Sequence, residues 1–135
     1  GVFAKQTVVI KSSDPVNHNV RYNAFENEGQ NRSLPPNGEF SVQLKPERRP
    51  ISVVCDIHPW MKGYMMVFGH PFFAVTGPDG SFEIKGVPAG THKIVLWQEK
   101  VGFVTAGAAR GQDVTVTKGQ TTDIGEITID PAKVK

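Results

Sequence analysis

Ile51-Ser52-Val53-Val54-Cys55-Asp56-Ile57-His58-Pro59-Trp60-Met61-Lys62-Gly63-Tyr64-Met65-Met66-Val67-Phe68 reads as a strand, a short loop and a second strand. Ile51, Val53 and Val54 are β-branched and suit a pleated, half-buried surface. Pro59 interrupts the run, and Tyr64 to Phe68 resumes it with aromatic and apolar residues. The same signals spread outward. Thr7 to Ile10 is a strand that ends in the turn Ser12-Ser13-Asp14-Pro15. Val20 to Phe25 sets Val20, Tyr22 and Ala24 against mostly polar neighbours. Phe40, Val42 and Leu44 alternate with Ser41, Gln43 and Lys45, the period of a half-buried strand. Asn27 to Asn37 reads as a polar loop that closes in the turn Pro35-Pro36-Asn37-Gly38. No segment of useful length has a helical period, and 10 prolines and 14 glycines fall between short apolar runs. The expected fold class is all-β.

Composition limits what such a fold can do. A chain of 135 residues supports one ordinary domain or two small ones. A net charge of +2 gives no basis for binding nucleic acid or an anionic membrane. The basic cluster Lys45-Pro46-Glu47-Arg48-Arg49 reads as a solvated turn closed by Pro50. No run is long and apolar enough to cross a bilayer. No secretory signal is present, and Gly1-Val2-Phe3 reads as a mature or truncated start that runs into a strand. The single cysteine rules out an intramolecular disulfide.

The loop carries the chemistry. Cys55, His58 and Met61 put a thiolate, an imidazole and a thioether within seven residues, and such soft donors favour copper or zinc over hard cations. A trigonal blue-copper site takes one Cys, two His and a weak axial Met. The second imidazole has a candidate in His18, within Asn17-His18-Asn19-Val20, on a separate strand. Zinc and a metal-free version of the same loop stay open, since a lone buried Cys is often a small apolar core residue. Met65, Met66 and His70 are rival ligands. Adjacent residues of a strand point to opposite faces, so at most one of the two methionines reaches the site. His70, before Pro71, marks a strand break.

With these residues in place, the loop Cys55-x-x-His58-Pro59-Trp60-Met61-Lys62-Gly63 resembles the ligand loop of amicyanin- and plastocyanin-like cupredoxins. His18-Asn19-Val20 resembles the first-histidine motif of the same family. The resemblance covers roughly residues 4 to 69. It implies one type 1 copper held by His18, Cys55 and His58 with Met61 as axial ligand, and an Asn19 side chain that ties the two ligand segments together. It implies a Greek-key cupredoxin-like sandwich, here short of strands before the first histidine. It also implies a periplasmic or other extracytoplasmic location.

Composition shifts near Gly69, and domains are expected at 1–69 and 70–135. Gly77-Pro78-Asp79-Gly80 is a turn, followed by Phe82-Glu83-Ile84, Val87-Pro88-Ala89-Gly90 and Ile94-Val95-Leu96-Trp97. The run from Asp79 to His92 resembles the carboxypeptidase-regulatory-like (transthyretin-like) β-sandwich. On this reading Phe82, Ile84, Val87, Ile94 and Leu96 supply its core, Trp97 packs in the core or between domains, and His92 lies on the strand surface. Each half is small for an independent core, so the two are expected to pack on each other.

Enzyme signatures are absent from the sequence: no phosphate loop, no nucleophile elbow and no HExxH helix. The expectation is therefore a non-enzymatic, extracytoplasmic one-electron carrier with a redox protein partner, such as a membrane-bound electron-transfer complex. The alternative is a copper-independent structural subunit of such a complex.

Overall fold

In the computed structural model, which describes residues 1–134, every regular element is a strand or a short 3-10 turn. The chain is all-β. It divides into two compact units, Gly1–Ile84 and a second that starts at Lys85. Residues just past Gly69 belong with the first unit because the Phe73 ring stacks on Phe68, with centroids 4.7 Å apart and an interplanar angle of 14°.

The first unit holds β1 (Val2–Phe3), β2 (Thr7–Lys11), β3 (His18–Tyr22), β4 (Gln30–Leu34), β5 (Glu39–Gln43), β6 (Ile51–Val54), β7 (Lys62–Met65) and β8 (Val67–Phe68). An antiparallel sheet runs in the order β4-β3-β6-β7. β2 pairs antiparallel with β5, and β1 pairs parallel with β8. Alternation along β3 buries His18, Val20 and Tyr22 and turns Asn19 and Arg21 outward. β5 does the same with Phe40 and Val42. Val20, Tyr22, Leu34 and Ile51 from the larger sheet meet Phe40, Val42, Leu44 and Val67 in one core, with Val8 and Ile10 of β2 against it. Each such side chain contributes about 1.5–3 kcal/mol on burial, which is enough to fix which face of each strand points inward.

Three expectations for this unit change. The strand expected over Val20 to Phe25 is β3 and starts at His18, so the histidine lies inside the sheet. The run from Tyr64 to Phe68 is interrupted at Met66 and serves two different sheets as β7 and β8. The polar loop expected over Asn27 to Asn37 contains β4. Leu34 is its one buried residue, and the strand is held by its ladder to β3 rather than by an apolar face. A polar edge strand of this kind leaves no alternation to read.

The basic turn also differs from its reading. Glu47 is buried, and its carboxylate accepts hydrogen bonds from the backbone N–H groups of Phe25 (3.2 Å), Glu26 (3.0 Å) and Asn27 (3.1 Å) and from Asn27 Nδ2 (2.8 Å). The anion stands in for the missing strand partners of the Phe25–Asn27 loop. Burial works against its charge, but the Asn27 side chain and the three amides outweigh that and hold the carboxyl below its ordinary value.

The second unit holds β9 (Gly90–Ile94), β10 (Trp97–Gln98), β11 (Gly102–Phe103) and β12 (Gln112–Val116). β9 pairs with β12 and β10 with β11, both antiparallel. Gly111 leads into β12 with φ of 76°, and an added Cβ there would lie 2.6 Å from the Ile94 carbonyl oxygen, so the β9–β12 ladder needs glycine at this point. The expected core around Phe82, Ile84, Val87, Ile94 and Leu96 is not buried. Phe82 is exposed, the other four are half-buried, and Phe82 to Ile84 form no strand. Trp97 is half-buried in β10. Among the described residues no apolar side chain after Val67 is buried.

Glu47→Ala leaves three partly buried amides without their acceptor and is expected to lower stability to urea by about 1–3 kcal/mol. The carboxyl titrates lower in the folded state, so its contribution is full above the ordinary glutamate value of about 4.3 and is lost as pH falls through the folded value. The stability gap between wild type and Glu47→Gln should therefore close on acidification. A gap that stayed constant down to acid pH would remove the role assigned to the charge.

Candidate metal centre

Register brings the donors together. β3 and β6 pair through Arg21↔Val54 and Tyr22↔Val53. Continued past the ladder, this register sets Asn19 opposite Asp56 and Val20 opposite Cys55, so Cys55 emerges beside His18. His18 and Cys55 are buried and His58 is half-buried. His18 Nδ1 lies 3.8 Å from Cys55 Sγ, His58 Nδ1 lies 3.7 Å from it, and the two Nδ1 atoms are 3.0 Å apart.

A triangle with sides of 3.0, 3.7 and 3.8 Å has its centre about 2 Å from each corner, the length of a metal–imidazole bond (about 2.0–2.1 Å) and slightly inside a metal–thiolate bond of about 2.3 Å. Two nitrogens and one sulfur thus converge on a space the size of one transition-metal ion. Burial opposes a thiolate at Cys55. The Asn19 and His58 backbone amides and both imidazoles reverse that effect and bring the thiol down to about 6. The environment supports the anion that serves as a metal ligand.

The loop is fastened at both ends. The Cys55 N–H donates to the Met61 carbonyl (3.1 Å) and the Met61 N–H donates to the His58 carbonyl (2.8 Å), which folds residues 55–61 back on themselves. Asn19 joins this loop to β3. Its Oδ1 accepts from the Asp56 N–H (2.7 Å) and from Cys55 Sγ (3.4 Å), and its Nδ2 donates to Asp56 Oδ2 (2.8 Å) and Asn31 Oδ1 (2.8 Å). Arg21 grips the same Asp56 carboxylate through Nε and Nη2, at 2.8 and 2.7 Å to Oδ1, and holds its carboxyl well below the usual range. On the far side of the site, His18 Nε2 lies 3.0 Å from Asp14 Oδ2.

Of the four residues singled out as ligands, His18, Cys55 and His58 form one cluster. Met61 closes the loop through its backbone, with its side chain 39% exposed. The rivals are engaged elsewhere. Met65 packs on the core, Met66 accepts the Val2 N–H through its carbonyl, and exposed His70 stacks on Phe72 and lies tilted against Phe68. His92, expected on the surface, is half-buried, with its Nε2 2.7 Å from the Pro88 carbonyl oxygen. Asp14, Arg21, Asn31 and Asp56 were not legible as site residues. Asp14 reads as turn chemistry within Ser12-Ser13-Asp14-Pro15, and Arg21 reads as an ordinary outward strand residue.

The family model described as polysaccharide lyase family 4, domain II matches residues 69–124, less than half of the chain and outside the cluster. No curated protein and no solved structure matches the chain.

Removing the Asn19 side chain leaves Arg21 as the side-chain tie shown between β3 and Asp56 and touches none of the three clustered donor atoms. Asn19→Ala is expected to cost about 1–3 kcal/mol in urea unfolding, since the Asp56 amide loses its acceptor. It should also speed reaction of Cys55 with a thiol reagent in the folded protein. An unchanged rate would mean that Asn19 does not hold the loop closed.

Proposed function

We propose that the protein carries single electrons through a type 1 copper site formed by His18, Cys55 and His58, with Met61 as the weak axial ligand. The observation that carries this reading is the convergence of two imidazole nitrogens and one thiolate sulfur within 3.8 Å of one another. Copper, when bound, supplies a one-electron couple at a site of this donor set. The chain's residues supply what such a couple needs. The Asn19, Asp14 and Met61 contacts restrain the three donors, so little side-chain rearrangement accompanies a change in charge.

Access for a partner runs over the loop. Trp60 is 78% exposed and Ile57 54%, and the Trp60 ring lies 5.2 Å from that of His58. An apolar cap of this size beside a half-buried ligand suits a brief encounter with a redox protein. Such encounters bury less than about 1,200 Å². A membrane-bound electron-transfer complex is one such partner, and an extracytoplasmic location accords with this role. Among the described residues, no helix is long and apolar enough to cross a membrane.

A second reading is a copper-independent interaction subunit. It is favoured by the second unit, where two two-stranded ladders carry half-buried Ile94, Trp97 and Phe103 and no buried apolar cluster among the described residues. Small antiparallel ladders are marginal without a further covering surface.

Titration of the metal-free protein with copper(II) separates the two. An intense thiolate-to-copper absorption band with a narrow copper hyperfine splitting is the expected result, and Cys55→Ser should abolish the band with the fold intact. A spectrally silent wild type whose Cys55 still reacts with a thiol reagent would overturn the carrier reading and leave the subunit reading.

A further inference from the structure

The contact between Asp14 and His18 has a consequence for the donor set. His18 presents Nδ1 to Cys55 and His58, and its other nitrogen, Nε2, lies 3.0 Å from Asp14 Oδ2. A carboxylate is an acceptor only, so Nε2 carries the proton and, in the neutral ring, Nδ1 keeps its lone pair. We propose that Asp14 is a positioning residue for the metal centre, one that fixes His18 in the Nε2–H tautomer and orients its bare Nδ1 toward the other two donors. This rests on the proposed function only in naming the metal as copper.

The fold pins the backbone at Asp14, and the half-exposed carboxylate reaches His18 from there. Buried Ser12 accepts the Asp14 N–H through Oγ (3.2 Å), and its own N–H donates to the Gly38 carbonyl (3.0 Å). The Asn37 N–H donates to the Asp14 carbonyl (3.2 Å). Asn37 itself sits at φ of 53°, a turn conformation that asparagine tolerates. The segment from Ser12 to Asp14 is thereby pinned to the turn before β5, and the carboxylate is delivered to one side of a histidine side chain only 6% exposed. His18 is held from both ends, by the sheet through its backbone and by Asp14 through its ring. The tautomer matters on the other side too. With His18 Nδ1 bare, the 3.0 Å approach of His58 Nδ1 is a hydrogen bond donated by His58 in the metal-free protein. For both histidines to present Nδ1 to a metal, the His58 proton would move to its Nε2 and the Cys55 thiol would give up its own, while the proton on His18 Nε2 stays in place.

Hydrogen-bonded carboxylates behind metal-binding histidines raise the basicity of the ligand, and their removal costs about 10–100-fold in metal affinity. A more basic imidazole favours the oxidised ion over the reduced one. Each tenfold loss confined to copper(II) would raise the potential by about 59 mV.

The test compares wild type with Asp14→Ala, Asp14→Asn and Asp14→Glu. Nitrogen-15 imidazole spectra of the metal-free proteins report the His18 tautomer, and copper(II) and copper(I) titrations report affinity. Wild type should show a single Nε2–H tautomer. Asp14→Ala should show a mixture of tautomers and a 10–100-fold loss of copper(II) affinity with less loss for copper(I). Asp14→Asn should fall between, and Asp14→Glu should restore part of both. Far-ultraviolet circular dichroism identifies any variant that has lost the fold, and the Asn variant, nearly isosteric, guards against that case. An unchanged tautomer in folded Asp14→Ala would overturn the proposal. If wild type takes up no copper, the carrier function fails, while the tautomer comparison in metal-free protein still decides the role of Asp14.

Discussion

The antiparallel register between β3 and β6 is the constraint on which the site depends. Only two residue pairs lie within the ladder proper, yet their alignment puts the last buried residue before the loop, Cys55, next to the first buried residue of β3, His18. A one-residue slip would send Val20 and Tyr22 to solvent and bring Asn19 and Arg21 inward. A two-residue slip would keep the faces but carry Cys55 about 7 Å along the strand, too far to share an ion with His18. The core decides between these possibilities. Tyr22 and Ile51 are almost fully buried, at 2% and 1% exposure, and they fill the sandwich only in the observed alignment. Packing, which is non-directional, thus sets the position of donors whose chemistry is directional.

Restraint of the donors comes in layers, each with a different physical origin. Sheet pairing places the backbones to within a residue. Asn19 then fastens the loop with hydrogen bonds to the Asp56 amide, its carboxylate and the sulfur, and Arg21 anchors that same carboxylate with a charge-assisted pair. Asp14 acts on ring orientation from the opposite side. Met61 closes the loop through its own amide and carbonyl. A site restrained this way can bring two imidazoles and a sulfur close together in the absence of an ion, because the cost of crowding them is spread over contacts made by the fold.

Much of the first unit was legible because its strands obey simple periods. Phe40, Val42 and Leu44 alternate cleanly, and Ile51 to Val54 is β-branched, so those strands stood out. The clustering of His18, Cys55 and His58 was legible for another reason: their order and spacing, with His18 in its own motif, carry more information than any local propensity. What stayed hidden depends on partners distant in sequence. β4 has polar residues at four of its five positions and exists through its ladder to β3. Glu47 looked like part of a solvated basic turn because nothing nearby reveals that amides 20 to 22 residues earlier would converge on it. Asp14 and Arg21 gain their roles only once the turn before β5 and the strand β6 are in place. In the second unit the pattern around Phe82 promised a core, but apolar residues in the right order do not by themselves supply the layer that covers them.

The surroundings of the cluster also weigh on which metal chemistry fits. A hydrolytic zinc site built from two histidines and a cysteine keeps an open position for water and needs a carboxylate free to take its proton. Two aspartates lie next to this cluster, and both are committed as acceptors, Asp14 to the His18 ring and Asp56 to Arg21 and Asn19. A structural zinc site would need a fourth strong ligand; with Asp56 held by Arg21 and Asn19, the loop's other side-chain donor is the Met61 thioether, which zinc takes poorly and copper accepts at long range. The donor set and the hydrogen bonds made by the two carboxylates therefore favour the proposed electron-transfer reading over a hydrolytic zinc site.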